Sequence, residues 1–463
     1  MNLILNEGVL STGEIRKIVD QSIYILEKVG VAVENRELLR IFAEKGFTVD
    51  QEASKVFVSR SCTEEFLAGS KKVSWKHRPV SFTSVAEIYQ GVYLDPRDDE
   101  YKPWTRERLK EYIRVARALP EIDQVSMLGY PPEDAPCELQ PLYEKLFCWK
   151  YGLAGGTAIW DTKLCPKILE MFEAYADFKG KPVQKVFNCG VFLISPLKMA
   201  RLEAEQFLYF YRKGLRVSVG ALGSLGGTAP VTPAGALSVQ VAENLFINMM
   251  ERKFWGRQEL EFAASLSPLE MTSGTFRYGR PEQVILNMAG ARIAEYLGAS
   301  FTGHCGLSDA KRPGHESAAQ KCISAVCGAM TCGSGHIAAG LLSVDEVYSP
   351  VQMILDHEAV SALRHIGAGM AVDEETLAWE TILEEGAGGN FLNTEHTAEY
   401  FRDILWMPSL WSASMYSKWQ KDGCKTDVDY ARERFFEILE TAAPLHGEIP
   451  EELEKQLVKI IMK

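Results

Sequence analysis

A chain of 463 residues, 46% hydrophobic and 24% charged, has the texture of a globular protein with a sizeable core. Its formal charge of −12, with no long Lys/Arg block, removes the electrostatic basis for gripping a phosphate backbone, so no nucleic-acid partner is expected. No long apolar run suggests a membrane span, the start MNLILNEGVLSTGEIRK lacks signal-peptide character, and ten irregularly spaced cysteines suit a reducing compartment, so the expectation is cytoplasmic.

Residues 11–49 predict two helices, each closing on glycine, and residues 55–95 carry short β-branched and aromatic runs that predict a small sheet. Together they predict an N-terminal cap over residues 1–100. From Thr105 the pattern changes, because Leu109, Tyr112, Ile113 and Ala116 mark one face of a helix. Strand-like runs then recur at 123–129, 155–160, 185–194, 215–221, 259–265, 300–305 and 336–342, each spaced to leave room for one helix. Ser195-Pro196, Thr232-Pro233 and Ser349-Pro350 read as helix starts, with proline at the first helical position. Alternation of this kind predicts an α/β fold with parallel strands. No GxGxxG occupies the first strand-turn-helix unit, which favours a (β/α)8 TIM barrel over residues 101–395 against a doubly wound sheet. The eighth strand is expected after residue 365, and residues 396–463 predict a C-terminal helical extension.

In such a barrel the strand C-termini carry the chemistry. The run SVGALGSLGGTAPVTPAG (218–235) breaks from a strand into glycines before its helix, a segment able to approach a ligand closely or merely to turn a corner. His304 and His336 fall in successive strand candidates, and GHCGLSDAKRPGHES (303–317) adds Asp309, Lys311 and Arg312. Each histidine alone reads more often as a satisfied core residue, the two at one barrel level read evenly as core or functional, and the loop reads equally as a solvated charged segment. Aromatic residues Tyr93, Trp160, Phe301, Tyr348 and Phe391 lie near these ends, where rings either pack the core or cage a quaternary ammonium by cation–π attraction. Cys322, Cys327 and Cys332 are spaced in fives and do not share one helical face, so no metal site is expected.

Several long segments in one order, GSLGGTAPVTPAGALSVQVAEN, MTSGTFRYGRPE, GLSDAKRPGHESAAQK, VDEETLAWETILEEGAGGNFLNTEHT and the closing Trp419 to Gly423, resemble the trimethylamine methyltransferase superfamily. The resemblance implies a (β/α)8 barrel that passes a methyl group from a methylated amine to the cobalt of a separate cognate corrinoid protein. The chain shows no pyrrolysine and is therefore similar to the non-pyrrolysine branch, which implies glycine betaine or a related betaine as the quaternary amine substrate. On that reading Tyr93, Trp160, Glu270, Phe301, His304, His336, Tyr348 and Phe391 are the substrate-binding candidates. Gly226, Gly227, Thr228, Asp309, Lys311 and Arg312 are the alternatives for facing the corrinoid or holding a carboxylate. No residue is assigned a covalent or acid–base role. The corrinoid is expected to arrive on its own protein, because no D-x-H-x-x-G segment occurs here, and the aromatic C-terminal segments are compatible with a homo-oligomer. Two other readings remain: a metal-dependent barrel hydrolase or lyase using His304, His336 and Asp309, and a non-catalytic betaine-binding barrel.

Overall fold

The computed structural model describes residues 9–75 and 79–463. Helix Thr12–Lys28 opens on a capping box in which the Ser11 side chain accepts from Glu14 N. It buries Ile15, Ile18, Val19, Ser22, Ile23 and Leu26, spaced to share one face, against helix Pro233–Trp255. Strand Val31–Val33 pairs antiparallel with Lys55–Phe57 and parallel with Lys198–Met199, which stitches this N-terminal region onto the body of the protein.

The body is α/β. Strand Ser81–Ile88 lies between Ser334–Ala338 and Gln124–Met127, parallel to both. Ser126 bridges Ala154, and the parallel series continues from Thr157–Ala158 through Cys189–Ile194 and Ser218–Leu225 to Leu266–Glu270. Glu261–Ala263, just upstream in the same run, pairs parallel with Ser300–Thr302. Beyond that strand, Ala338 N donates to Gly306 O at 3.1 Å. Helices alternate with these strands, from Arg106–Ala118 to Pro350–Ala368.

One strand thus occupies an unexpected stretch of sequence. No strand follows residue 365, where helix Pro350–Ala368 is still running; the strand beside Ser334–Ala338 is Ser81–Ile88, inside the segment expected to form a separate cap. Its alternation, with Phe82, Ser84, Ala86 and Ile88 buried and Thr83 and Glu87 on the other face, resembles an edge of a small antiparallel sheet. The polar face survives because it lines a cavity instead of a second apolar layer. The same alternation runs through Cys189–Ile194, where Cys189, Val191 and Leu193 are buried while Phe192 and Ile194 remain 56% and 47% exposed. Ser195-Pro196 starts no helix; the next one is Arg201–Arg212, and Ser195 Oγ instead donates to the buried Glu243 carboxylate at 3.0 Å, which also accepts from Leu197 N.

Tyr93 and Tyr348 are core rings, not cage walls. Both are fully buried, and Trp104 stands 5.2 Å from the first and 5.4 Å from the second, with Tyr112 against the same indole. The Tyr348 hydroxyl donates to Asp345 O at 2.9 Å. At the C-terminus, helix Asp427–Thr441 packs on Pro350–Ala368 and Arg106–Ala118, while Glu451–Met462 packs on Cys165–Lys179 and Gln140–Lys150. Between these anchored parts, from residue 364 to residue 430, Leu410 alone is buried.

Candidate active site

A cavity of about 360 Å³ opens among strand Ser81–Ile88, the run 301–305, strand Ser334–Ala338 and the helices Pro281–Leu297 and His315–Cys332. Thr83, Glu87, Phe301, His304 and His336 line it. Strand alternation places them there. Gly335 and Ile337 point into the helix layer, where a Cβ on Gly335 would strike the Phe82 ring and Ala325 O, so Ser334, His336 and Ala338 are left on the cavity side.

His304 is held by one helix face. Its N–H donates to Asn287 Oδ1 at 2.6 Å, and its carbonyl accepts from Asn287 Nδ2 at 2.8 Å and Gln283 Nε2 at 3.1 Å. Gln283 and Asn287 are four apart on Pro281–Leu297 and therefore reach the same spot. The imidazole stands edge-on to Tyr278, ring centres 4.5 Å apart. Gly306 keeps the following turn close to the neighbouring strand: its φ is +75°, and a Cβ there would collide with His336 O.

His336 Nδ1 lies 3.1 Å from Thr83 Oγ1, and its Nε2 lies 4.0 Å from Glu87 Oε1, too far for a hydrogen bond. Burial lowers the pKa of His336 to about 4, reinforced by the cationic Lys321 behind the strand. Burial likewise lowers His304 to about 4, with His336 adding to the effect. Both imidazoles are therefore neutral at pH 7, and each offers one N–H donor and one acceptor nitrogen. Burial raises the Glu87 carboxyl above its ordinary value; Lys321 opposes the shift and Asp345 adds to it. Among the described residues Glu87 has no hydrogen-bond partner, yet its side chain is 29% exposed, so a ligand in the cavity can reach it. Lys321 does not neutralise it by contact, since its ammonium is committed to Asp356 at 2.6 Å and Ala338 O at 2.7 Å.

This arrangement presents a carboxyl group that lacks a cation in contact with it, beside two neutral imidazoles, in a largely desolvated space. It is complementary to a small molecule carrying a fixed positive charge and, close by, an acceptor. Glu87, Thr83, Tyr278, Gln283 and Asn287 were absent from the sequence candidates. The available signal was a glutamate at the end of an alternating strand and the amide pair in PEQVILN, both of which read as ordinary surface chemistry.

The remaining candidates lie elsewhere. Glu270 is on the hairpin Leu266–Glu270/Thr275–Phe276, bonded to Thr272 and paired with Arg280, whose hydrogen bonds lower its pKa. Asp309 accepts from Tyr278 N at 2.8 Å, Lys311 Nζ donates to Asp309 O, and Arg312 pairs with Asp99 in an exposed loop. Gly226, Gly227 and Thr228 form a closed turn: their N–H groups donate to Ala229 O, Ser224 O and Ser224 Oγ, which leaves none of the three to grip an anion. Trp160 is 37% exposed beyond strand Thr157–Ala158, and Phe391 is 45% exposed on the segment after Ala368. Among the described residues no three His, Cys, Asp or Glu side chains converge as a metal site, so the set His304, His336 and Asp309 is not assembled.

The fold is α/β, and a cavity between its strands and helices carries Glu87, His304 and His336 among its walls. The chain belongs to the trimethylamine methyltransferase (MTTB) family, whose profile matches residues 2–461, and it is a methyltransferase of that family. It is 25% identical to trimethylamine methyltransferase MttB of Desulfitobacterium hafniense (strain DSM 10664 / DCB-2), covering 97% of this chain and 92% of that protein. Glycine betaine methyltransferase of Desulfitobacterium hafniense (strain Y51) is 24% identical, covering 96% and 94%. Among solved structures, the hydroxylamine complex of MtmB superposes with a TM-score of 0.47 at 9% identity, over 99% of this chain and 89% of that one.

Proposed function

We propose that this protein moves a methyl group from a quaternary amine, glycine betaine above the alternatives, to the Co(I) of a separate corrinoid protein, releasing dimethylglycine. The observation that carries the reading is the joint placement of Glu87, His304 and His336 around one cavity. Glu87 supplies the countercharge for the trimethylammonium group, and Phe301 adds a ring wall. His304 or His336, neutral and able to donate, takes the betaine carboxylate. The corrinoid, when its partner protein docks, supplies a cobalt nucleophile that accepts the methyl group.

The chain's own residues hold the ligand in line and exclude water. Charge on nitrogen disappears as the methyl leaves, so contacts that stabilise the cation too strongly oppose the step. A single carboxylate without close hydrogen bonds, facing neutral imidazoles, meets that requirement. Nitrogen leaves as a tertiary amine and needs no general acid. We further propose that the parallel strands close into one eight-stranded (β/α)8 barrel; the parallel pairings and the Ala338–Gly306 bond support this reading. Exposed apolar side chains at or beyond strand C-termini, Trp160, Ile194, Val231 and Met271, together with Leu222, paired in register with Ile194, suit the docking of a macrocycle-bearing protein there.

The test is a panel of betaines and methylamines incubated with purified protein and chemically reduced cobalamin. Dimethylglycine and methylcobalamin are expected from glycine betaine, with no reaction of trimethylamine; turnover of trimethylamine and of no betaine refutes the assignment.

A further inference from the structure

A second carboxyl group stands beside the cavity, on a hairpin that the methyl transfer has not used. Strands Leu341–Leu342 and Val347–Tyr348 pair antiparallel, and the tip between them, residues 343–346, is fastened on two sides. Ser343 N and Val344 N donate to Ala310 O and Ser308 O, both at 2.8 Å, just past Leu307 of the cavity wall. Val92 N donates to Glu346 O at 2.8 Å, and Gly91, four residues past Glu87, lies so close that a Cβ there would strike the same oxygen. The tip is strained: φ is +52° at Ser343 and +70° at the β-branched Val344. Such backbone persists only where its surroundings fix it, and it collects at functional sites. The side chain that this tip carries is Asp345.

Among the described residues the Asp345 carboxyl has no hydrogen bond and no cation partner. Burial raises it above its ordinary value, and Glu346 adds to the shift. Burial also raises the Glu87 carboxyl and the Tyr278 phenol, and Asp345 adds to both, so its charge reaches the cavity wall. What the cavity lacks is a cation. No lysine or arginine is among its described lining residues. The Lys321 ammonium is held by Asp356 and Ala338 O, while Arg280 and Arg312 pair with Glu270 and Asp99. A bound cation therefore gains from both carboxyl groups. A bound carboxylate meets neutral imidazoles only, and burying it near two acidic groups costs more than burying a hydroxyl, which either imidazole satisfies as donor or as acceptor.

We propose that the cavity also takes quaternary ammonium alcohols, cations whose far end is uncharged, and that Asp345 sets their standing against betaines. The inference rests on methyl transfer from quaternary amines and widens its substrate class. Choline carries CH2OH where glycine betaine carries a carboxylate and is otherwise the same molecule. Its methyl carbon passes from nitrogen to the Co(I) of the corrinoid protein. The C–N electron pair stays on nitrogen, the pair of the new bond comes from cobalt, which goes formally from Co(I) to Co(III), and N,N-dimethylethanolamine leaves as a neutral amine. No proton moves.

Calorimetric titration of the full chain with choline and with glycine betaine, with no corrinoid present, tests the binding. Choline is expected to bind at least as tightly as glycine betaine. Both ligands lose the same attraction at the ammonium in Asp345→Asn, so the ratio of their affinities reports the far end alone. That variant is expected to lower the preference for choline about 10- to 20-fold, the repulsion between unit charges about 10 Å apart at an effective dielectric constant of about 20. Asp345→Glu, which keeps the charge, should retain the preference. With chemically reduced cobalamin, choline should yield N,N-dimethylethanolamine. Choline that binds more weakly than glycine betaine, a preference unmoved by Asp345→Asn, or choline that keeps its methyl groups while betaine loses one would each overturn this inference alone. The first and third comparisons need only the parent chain and decide the matter even if a variant does not fold. A chain that binds neither ligand overturns the inference together with the methyl-transfer reading.

Discussion

Lys321→Met isolates the electrostatics behind the cavity. Lys321 and Asp356 form an ion pair that is fully buried, 1% and 3% exposed. Asp356 Oδ2 also accepts from Gly340 N at 2.9 Å and Oδ1 from Gln352 Nε2 at 2.7 Å, so the pair holds both sides of the strand that carries His336. Methionine fills the space and removes the cation, stranding a buried carboxylate. Breaking such a pair by removing one partner costs about 3–5 kcal/mol. For a chain of this length the unfolding entropy is about 1 kcal/mol/K, so a loss of about 3–5 kcal/mol lowers Tm by about 3–5 °C. Calorimetry of parent and variant measures the difference. The double variant Lys321→Met, Asp356→Asn, which removes both charges and keeps an acceptor for Gly340 N, should regain most of the loss. A Tm deficit below about 1 °C, or a double variant no better than the single, would falsify the buried-pair account.

Replacing the carboxylate-contacting histidine, His304→Ala or His336→Ala, should lower kcat/KM for betaine by roughly 2–5 kcal/mol in transition-state terms while the fold survives; if neither variant changes it, the carboxylate is held elsewhere. Both imidazoles are neutral in the fold, with pKa values depressed from 6.5 to about 4. The unfolded chain therefore binds more protons below pH 6.5, and stability present above that value is lost as pH falls toward 4; a Tm profile that is flat across this window, once the response of a His304→Asn, His336→Asn variant is subtracted, contradicts the assignment. Gly306→Ala must place a side chain at φ +75° against His336 O, at about 1–2 kcal/mol for the left-handed backbone plus about 1–3 kcal/mol for overpacking. It should lower Tm by a few degrees and raise KM more than Gly303→Ala does; a silent Gly306→Ala variant would show that the 304–306 turn does not set the imidazole positions.

The sequence by itself determined the alternation of strands and helices, because apolar periodicity and capping residues are local: Thr105 and Ser349 cap helices in the structure where their side chains predict it. It also placed His304 and His336 in successive strand candidates; in the structure His304 lies just past strand Ser300–Thr302, and both line one cavity. Only the tertiary structure decided which polar residues meet there. Glu87 belongs to a strand some 250 residues from His336, and its register, Thr83 opposite His336, depends on a pairing between distant segments that no local pattern encodes. Burial decided the rest. Tyr93 and Tyr348 read like Phe301 in sequence, yet packing around Trp104 encloses the first two while Phe301 reaches the cavity. The glycine turn at 226–228 reads in sequence equally as a ligand loop and as a plain corner, and in the structure its N–H groups are satisfied within the turn. Side-chain direction and hydrogen-bond satisfaction are properties of the assembled layers, which is why the elements were legible along the chain and the site that they build was not.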